Sequence, residues 1–460
     1  MIDKQLDAQL KEWMSAHHKD MIKDLQELVG IESISEVLLT QPAPFGEGVK
    51  KALEAALGMC QREGLETRNF DFWCGDATYG QGEGVIGAAA HLDTVPFGEG
   101  WTHNPTGGEI QDGIIYGRGV GDNKVSAVAL LYAVKAMKEL GIVPKKKVRI
   151  IFGCNEEIGM LDMPEYLRRT EAPDYTFVPD AGFPACNGEK GVVRITFRHD
   201  FKKPSRLAAM AGGTRVNVIP EHAEATLRGV AFPNDLPEHV TAETHGDEIL
   251  VKSFGMPGHG AAPASGRNAI VQILPVLRDM LPPEDGAYEA INGLCERVTG
   301  DFFGEKLGIA CKDDISGELT INMGVIECDG KSLSFQIDMR QPVLVEKETS
   351  ARVIKETMAS IGFTIEKESN SPGLYQPIDS PLVSMMQQVY ADATGDNDSK
   401  PFAIGGGTYA RCFPNAVSCG FVMPGSPVGG IHAADEHIGV DDVMGTARVF
   451  VHLYIHLAQL

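Results

Sequence analysis

The chain lacks any run of roughly 20 consecutive apolar residues, which excludes an ordinary membrane-spanning helix. It also lacks basic surplus: 41 Lys and Arg face 63 Asp and Glu, and the net charge of -22 excludes a general nucleic-acid surface. Lys145-Lys146-Lys147 is a short basic run that reads as a solvated turn before a strand. Paired cysteine spacing is missing as well. The nine cysteines, an odd number, lie mostly in apolar contexts such as Ile151-Phe152-Gly153-Cys154, which argues against a disulfide scaffold and for a reducing, cytoplasmic setting. No signal-peptide core opens the chain; instead Leu6, Leu10, Trp13, Ile22, Leu25 and Leu28 recur at helical spacing and predict an amphipathic surface helix. Neither nucleic acid nor membrane is therefore an expected partner.

What is present is enough apolar residue, 43% of 460, to fill more than one core, so two domains are expected. Val85-Ile86-Gly87-Ala88-Ala89-Ala90 predicts a buried strand ending at His91, and a helix follows from about Lys124 to Leu140. Val148 to Phe152 and Tyr175 to Val178 predict further strands. Strands alternating with helices imply an α/β domain with a mostly parallel sheet and helices on both faces. After Cys186 the pattern turns to alternating strands, such as Val192 to Phe197 and Leu333 to Ile337. Ala416 to Met423 then reads as a buried strand and Asp441 to Leu460 as a closing helix. The expected organisation is an α/β domain in two parts, 1–185 and 376–460, interrupted by an inserted α+β domain over 186–375. Within the insertion, Thr214 to Ile219 and Leu319 to Ile326 share an Asn after a β-branched residue, which fits either two similar halves or chance likeness between strands.

Chemistry concentrates at the predicted carboxyl ends of strands, where ligands collect in open α/β sheets. His91-Leu92-Asp93, Asp122 and Glu156-Glu157 come first, and Asp180 and His432 follow. Alone, each has an ordinary reading: a satisfied histidine, a helix cap, a solvated strand end, a turn acid. His432 also has a rival in His437. Together they offer the nitrogen and carboxylate donors that a borderline cation takes in catalytic sites. His91, Asp122, Glu157, Asp180 and His432 are the candidate metal ligands. Asp122, approached through Gly117-Arg118-Gly119-Val120-Gly121, suits a carboxylate shared between two ions. Asp93 could take the second imidazole N–H of His91, and Glu156 is left to handle a proton.

These residues resemble the co-catalytic metallopeptidases of the aminoacylase/glutamate carboxypeptidase family, through His91-Leu92-Asp93-Thr94-Val95-Pro96, Tyr116 to Lys124, Asn155-Glu156-Glu157-Ile158-Gly159, Pro179-Asp180 and His432-Ala433-Ala434-Asp435-Glu436. The resemblance implies two Zn²⁺ ions, with Mn²⁺ or Co²⁺ as alternatives. One would be held by His91 and Asp180, the other by Glu157 and His432, with Asp122 bridging and Glu156 as base. It also implies a cis peptide after Asp122. Asn217 precedes the Gly258-His259-Gly260-Ala261-Ala262-Pro263 motif, and with the large insertion this order is similar to the PepV-type bacterial dipeptidases, whose enlarged lid permits a monomer. By that likeness His259 would polarise the scissile carbonyl, Asn217 and Arg340 would grip the substrate, and Gly406 and Thr408 would lie in a substrate-facing loop. The expected function is hydrolysis of short peptides, chiefly dipeptides with a free amino terminus. An N-acyl amino acid or succinyl-diaminopimelate type amidohydrolase would share the metal residues, and a metal-dependent binding protein would need no Glu156.

Overall fold

The computed structural model of the chain describes residues 1–460, the side chains of residues 347 and 348 excepted. It divides into two units, the first comprising Met1–Asn187, Gln376–Phe402 and Thr408–Leu460, the second Gly188–Tyr375 and Ala403–Gly407.

In the first unit six neighbouring strands run in the order Glu66–Asn69, Cys74–Tyr79, Lys147–Gly153, Val85–His91, Tyr175–Ala181, Ala416–Gly420. The last four are mutually parallel, and the first two are antiparallel additions at one side. The parallel strands are almost wholly buried, so their sequences read as continuous apolar runs and not as alternation. Helix Lys124–Glu139 supplies the crossover between Val85–His91 and Lys147–Gly153 and is itself buried on nearly every side, from Val125 through Met137. It packs against helices Lys4–Val29 and Asp442–Leu457. Asp3 caps the first of these by accepting from the Gln5 and Leu6 N–H groups.

The second unit is an eight-stranded antiparallel sheet, ordered Val240–His245, Glu248–Phe254, His222–Arg228, Leu207–Gly212, Thr320–Cys328, Ser332–Gln341, Gly191–Asp200, Thr364–Ser371. Alternate residues such as Val193, Ile195 and Phe197 enter its core, with helices Ala269–Met280 and Tyr288–Val298 supplying Ile270, Leu274, Ile291 and Leu294. Among the described residues no helix is long and apolar enough to cross a membrane.

Candidate active site

Three parallel strands deliver the central side chains. His91 is the last residue of its strand and pairs with Gly153, the last residue of the next, so Glu156 and Glu157 emerge beside it on the following turn. Asp180 lies near the end of Tyr175–Ala181, on the other side of the same strand. Asp122 comes from the loop before helix Lys124–Glu139, and His432 from the segment after Gly430.

These residues converge. His91 Nε2 lies 2.8 Å from Asp122 Oδ1 and 3.9 Å from Asp180 Oδ2. His432 Nε2 lies 3.0 Å from the other Asp122 oxygen, Oδ2, and 3.2 Å from Glu157 Oε2. Asp122 therefore sits between two imidazoles, with one oxygen directed at each. Ligand atoms of His91, Asp122 and Glu157 lie within 4.8 Å of one another, as do those of His91, Glu156 and Asp180. His437 takes no part in this cluster: its Nδ1 donates to the Asp435 carbonyl at 2.7 Å, and its ring lies against Tyr116.

So many acids in one place shape every protonation equilibrium. Burial opposes charge on His432, yet hydrogen bonds to Asp122 and Glu157 carry its pKa up to about 11. Burial likewise opposes charge on His91, and Asp122 and Asp93 reverse the effect and hold its pKa well above the usual histidine range. Asp122 is pushed up by burial but pulled below the carboxylate range by the two imidazoles. Glu156 has no such partner: burial drives its pKa well above the usual value, against the pull of His91, and Asp180, Glu157 and Asp122 push it the same way. Among the described residues Glu157 Oε1 is buried without a hydrogen-bond partner. An orphaned carboxylate oxygen within a cluster of surplus negative charge is what a divalent cation would satisfy.

The surroundings hold this geometry. His91 Nδ1 donates to the Asp93 main-chain carbonyl at 3.0 Å, with the Asp93 carboxylate 3.5 Å away. That carboxylate instead accepts from the N–H groups of Glu156 and Glu157, at 3.1 and 3.2 Å, so Asp93 orients the ring and the acidic turn at once. The Asp122-Asn123 peptide is cis. Asn123 donates through Nδ2 to Asp180 Oδ1 at 3.0 Å and to the Pro179 carbonyl at 2.7 Å. Glu436, fully buried, accepts from the N–H groups of Gly119, Gly121 and Asp122 and pairs with Arg118 at 2.6 Å. Gly119 adopts a φ of +84°, and a side chain there would strike Thr94 and Lys124. Asp162 accepts from the N–H groups of Cys154 and Asn155 at 2.6 and 3.1 Å, and its burial raises its pKa to about 6. Sequence reading singled out none of Asn123, Glu436 and Asp162 for a role; the only signal was their place inside or beside the motifs.

The second unit gathers another set. Val218 and His259 form an isolated β-bridge, and the Gly260 N–H donates to the Asn217 carbonyl at 2.7 Å. Asn322 donates to the carbonyls of Val216 and Val218 and so holds the backbone on both sides of Asn217. Exposed His259 accepts the Ala261 N–H at Nδ1, 3.1 Å away, which places the proton of the neutral ring on Nε2. Thr320, paired with Arg340 across two strands, donates to the Ala261 carbonyl. Arg340 is buried; Nε and Nη2 grip the two Asp338 oxygens at 2.6 and 2.8 Å, and Nη1 donates to the Gly405 carbonyl at 2.8 Å. Gly406 belongs to the same unit, next to that carbonyl. Thr408 lies in the first unit, where its buried hydroxyl caps the turn Tyr409–Cys412 and meets Ser418 Oγ at 2.6 Å.

The chain is similar to known proteins in sequence and in fold. The pattern described as Peptidase family M20/M25/M40 matches residues 87–456. The chain is 32% identical to the protein named "Putative dipeptidase YtjP" of Bacillus subtilis (strain 168), over 96% of this chain and 98% of that one. It is 30% identical to the Beta-Ala-Xaa dipeptidase of Lactobacillus delbrueckii subsp. lactis, over 99% of both. Among solved structures the fold is similar to the M20 family metallo-carboxypeptidase Sso-CP2 from Sulfolobus solfataricus, with TM-score 0.61, 15% identity and 96% and 99% of the two chains covered. With its strand-end cluster of histidines and carboxylates, the chain belongs to peptidase family M20/M25/M40 and is a hydrolase of the metallopeptidase class.

Proposed function

We propose that the protein is a two-metal dipeptidase that cleaves the peptide bond of short peptides, chiefly dipeptides with a free amino terminus. The observation that carries this reading is the divided use of Asp122, one oxygen facing His91 and the other His432. The donor set suits Zn²⁺, and Mn²⁺ or Co²⁺ would be accepted by the same atoms. His91 and Asp180 would hold one ion and Glu157 and His432 the other, with Asp122 shared. Bound there, the two ions supply Lewis acidity and bring the pKa of water toward neutrality.

The chain's own residues do the rest. The Glu156 carboxylate, given no ligand role in this assignment, takes the proton of the attacking water and returns it to the departing amine. Asp93 keeps that carboxyl aimed by holding the Glu156 N–H while it fixes His91. His259, with its proton on Nε2, donates to the carbonyl oxygen as negative charge develops there. Asn217 contacts the substrate backbone. Arg340 is the proposed contact of the substrate carboxylate, through the Nη N–H groups that Asp338 and the Gly405 carbonyl leave over, and its bond to Gly405 holds the backbone next to Gly406. Gripping the far carboxylate makes the enzyme measure substrate length.

Similarity to two proteins named as dipeptidases, over nearly their whole lengths, supports this substrate class. The continuous eight-stranded sheet within one chain supports a monomer, and the odd, mostly buried set of cysteines supports a cytoplasmic setting. The test is a panel of free dipeptides, tripeptides and N-acylated amino acids after metal analysis. Dipeptides should be preferred by at least about tenfold in kcat/KM, a discrimination of about 1.4 kcal/mol. Preference for acylated amino acids would overturn the reading in favour of an amidohydrolase.

A further inference from the structure

Tyr409 is fully buried, and it touches two parts of the candidate active site from one position. Its ring meets His91 edge-on, with centroids 6.3 Å apart and planes at 88°. Its hydroxyl donates to Asp162 Oδ2 and accepts the Asn155 N–H at 3.2 Å. Asp162 Oδ2 also accepts the N–H groups of Cys154 and Asn155, so phenol and carboxylate together grip the two peptide units before Glu156. Asn155 in turn closes the acidic turn: its carbonyl accepts from Met160 N–H at 2.6 Å and its side-chain oxygen from Leu161 N–H at 3.1 Å. Room for the phenol exists because residue 153 is glycine; a Cβ there would land on the Tyr409 hydroxyl. Asp93 holds the N–H groups of Glu156 and Glu157 from the other side.

We propose that Tyr409 is a positioning residue, whose hydroxyl, through Asp162 and the Asn155 peptide, sets the aim of Glu156 while its ring backs the imidazole of His91. The hydrogen bonds are made to the backbone of the turn and not to a reacting atom, so the effect falls on turnover more than on binding. This rests on the role given to Glu156 above.

Tyr409→Phe keeps the ring against His91 and Gly153 and removes only the hydroxyl. Hydrogen exchange by mass spectrometry, read on peptides covering residues 153–161, should speed up at least threefold, with exchange elsewhere unchanged. On the best dipeptide, kcat should fall about tenfold with KM unchanged within a factor of two and with metal content per chain equal to that of the wild type. Asp162→Asn, which keeps an acceptor for the backbone N–H groups, should show the same local pattern. Wild-type exchange and wild-type kcat in Tyr409→Phe would overturn the proposal, as would faster exchange throughout the chain with loss of metal. If the wild type cleaves no dipeptide, the functional reading fails by itself, and the exchange measurement still decides whether Tyr409 holds the turn.

Discussion

Glu436 is the residue whose removal should damage the site most without touching a reacting group. Its carboxylate is buried and satisfies four donors: Arg118 Nη1 and the N–H groups of Gly119, Gly121 and Asp122. Glu436→Gln retains one acceptor oxygen, which can serve Gly121 and Asp122, but turns an amide toward Gly119 and Arg118. A buried donor left without an acceptor costs about 1–3 kcal/mol, and breaking one side of a buried ion pair about 3–5 kcal/mol. The contributions overlap, because Arg118 also donates to the Phe97 and Ala433 carbonyls. A net loss of about 3 kcal/mol in the first unit is the expected outcome. Because the groups released, Arg118 and Gly119, lie in the loop that leads to Asp122, metal affinity should weaken by about 10–100-fold, as for other residues that orient ligands. Urea titration followed by a probe in the first unit reads the stability, and competition with a chelator reads the affinity. A variant within about 0.5 kcal/mol of wild type and with unchanged affinity would refute the reasoning, since a carboxylate with four buried donors cannot be replaced at so little cost.

Two further outcomes concern stability. Burial works against charge on Asp7, but Lys11, His452 and Arg448 outweigh it and hold the carboxyl at about 2 instead of 3.8. A lowered folded-state pKa gives stability that is complete above the unfolded value and is lost as pH falls through the folded one, so the contribution, about 1–2 kcal/mol after solvent screening, should fade between pH 4 and 2. The urea midpoint of wild type should drop more steeply across that interval than that of Asp7→Asn; parallel curves would contradict the assignment. Gly153→Ala would set a methyl against the Tyr409 hydroxyl and should destabilise by about 1–3 kcal/mol, with a lower thermal midpoint as the readout. A neutral result there would mean that Tyr409 shifts freely.

The elements that position the ligands were legible because they are buried on all sides. The apolar run before His91, helix Lys124–Glu139 and helix Asp442–Leu457 read directly from continuous hydrophobic sequence, and the acids and histidines stand where those runs stop. The antiparallel strands Glu66–Asn69 and Cys74–Tyr79 gave no such signal, being short, half-polar and at the sheet margin. Strand Thr364–Ser371 is exposed at every residue and shows no alternation to read. The supporting residues were hidden for another reason. Glu436 meets Arg118 across 318 positions and Tyr409 meets Asp162 across 247, and hydrogen bonds at such separation leave no local pattern. The predicted strand Ala416 to Met423 ends at Gly420, because Met423 already turns to donate its N–H to Asp442.

Glu156→Gln tests the central claim most directly, because it removes the proton carrier and leaves the five proposed ligands intact. The account predicts metal content equal to wild type and a fall in kcat of about 10²–10⁴-fold on the best dipeptide. Normal turnover with metal bound would contradict the assignment of Glu156 as base, and loss of metal with loss of turnover would contradict the division of labour between Glu156 and Glu157.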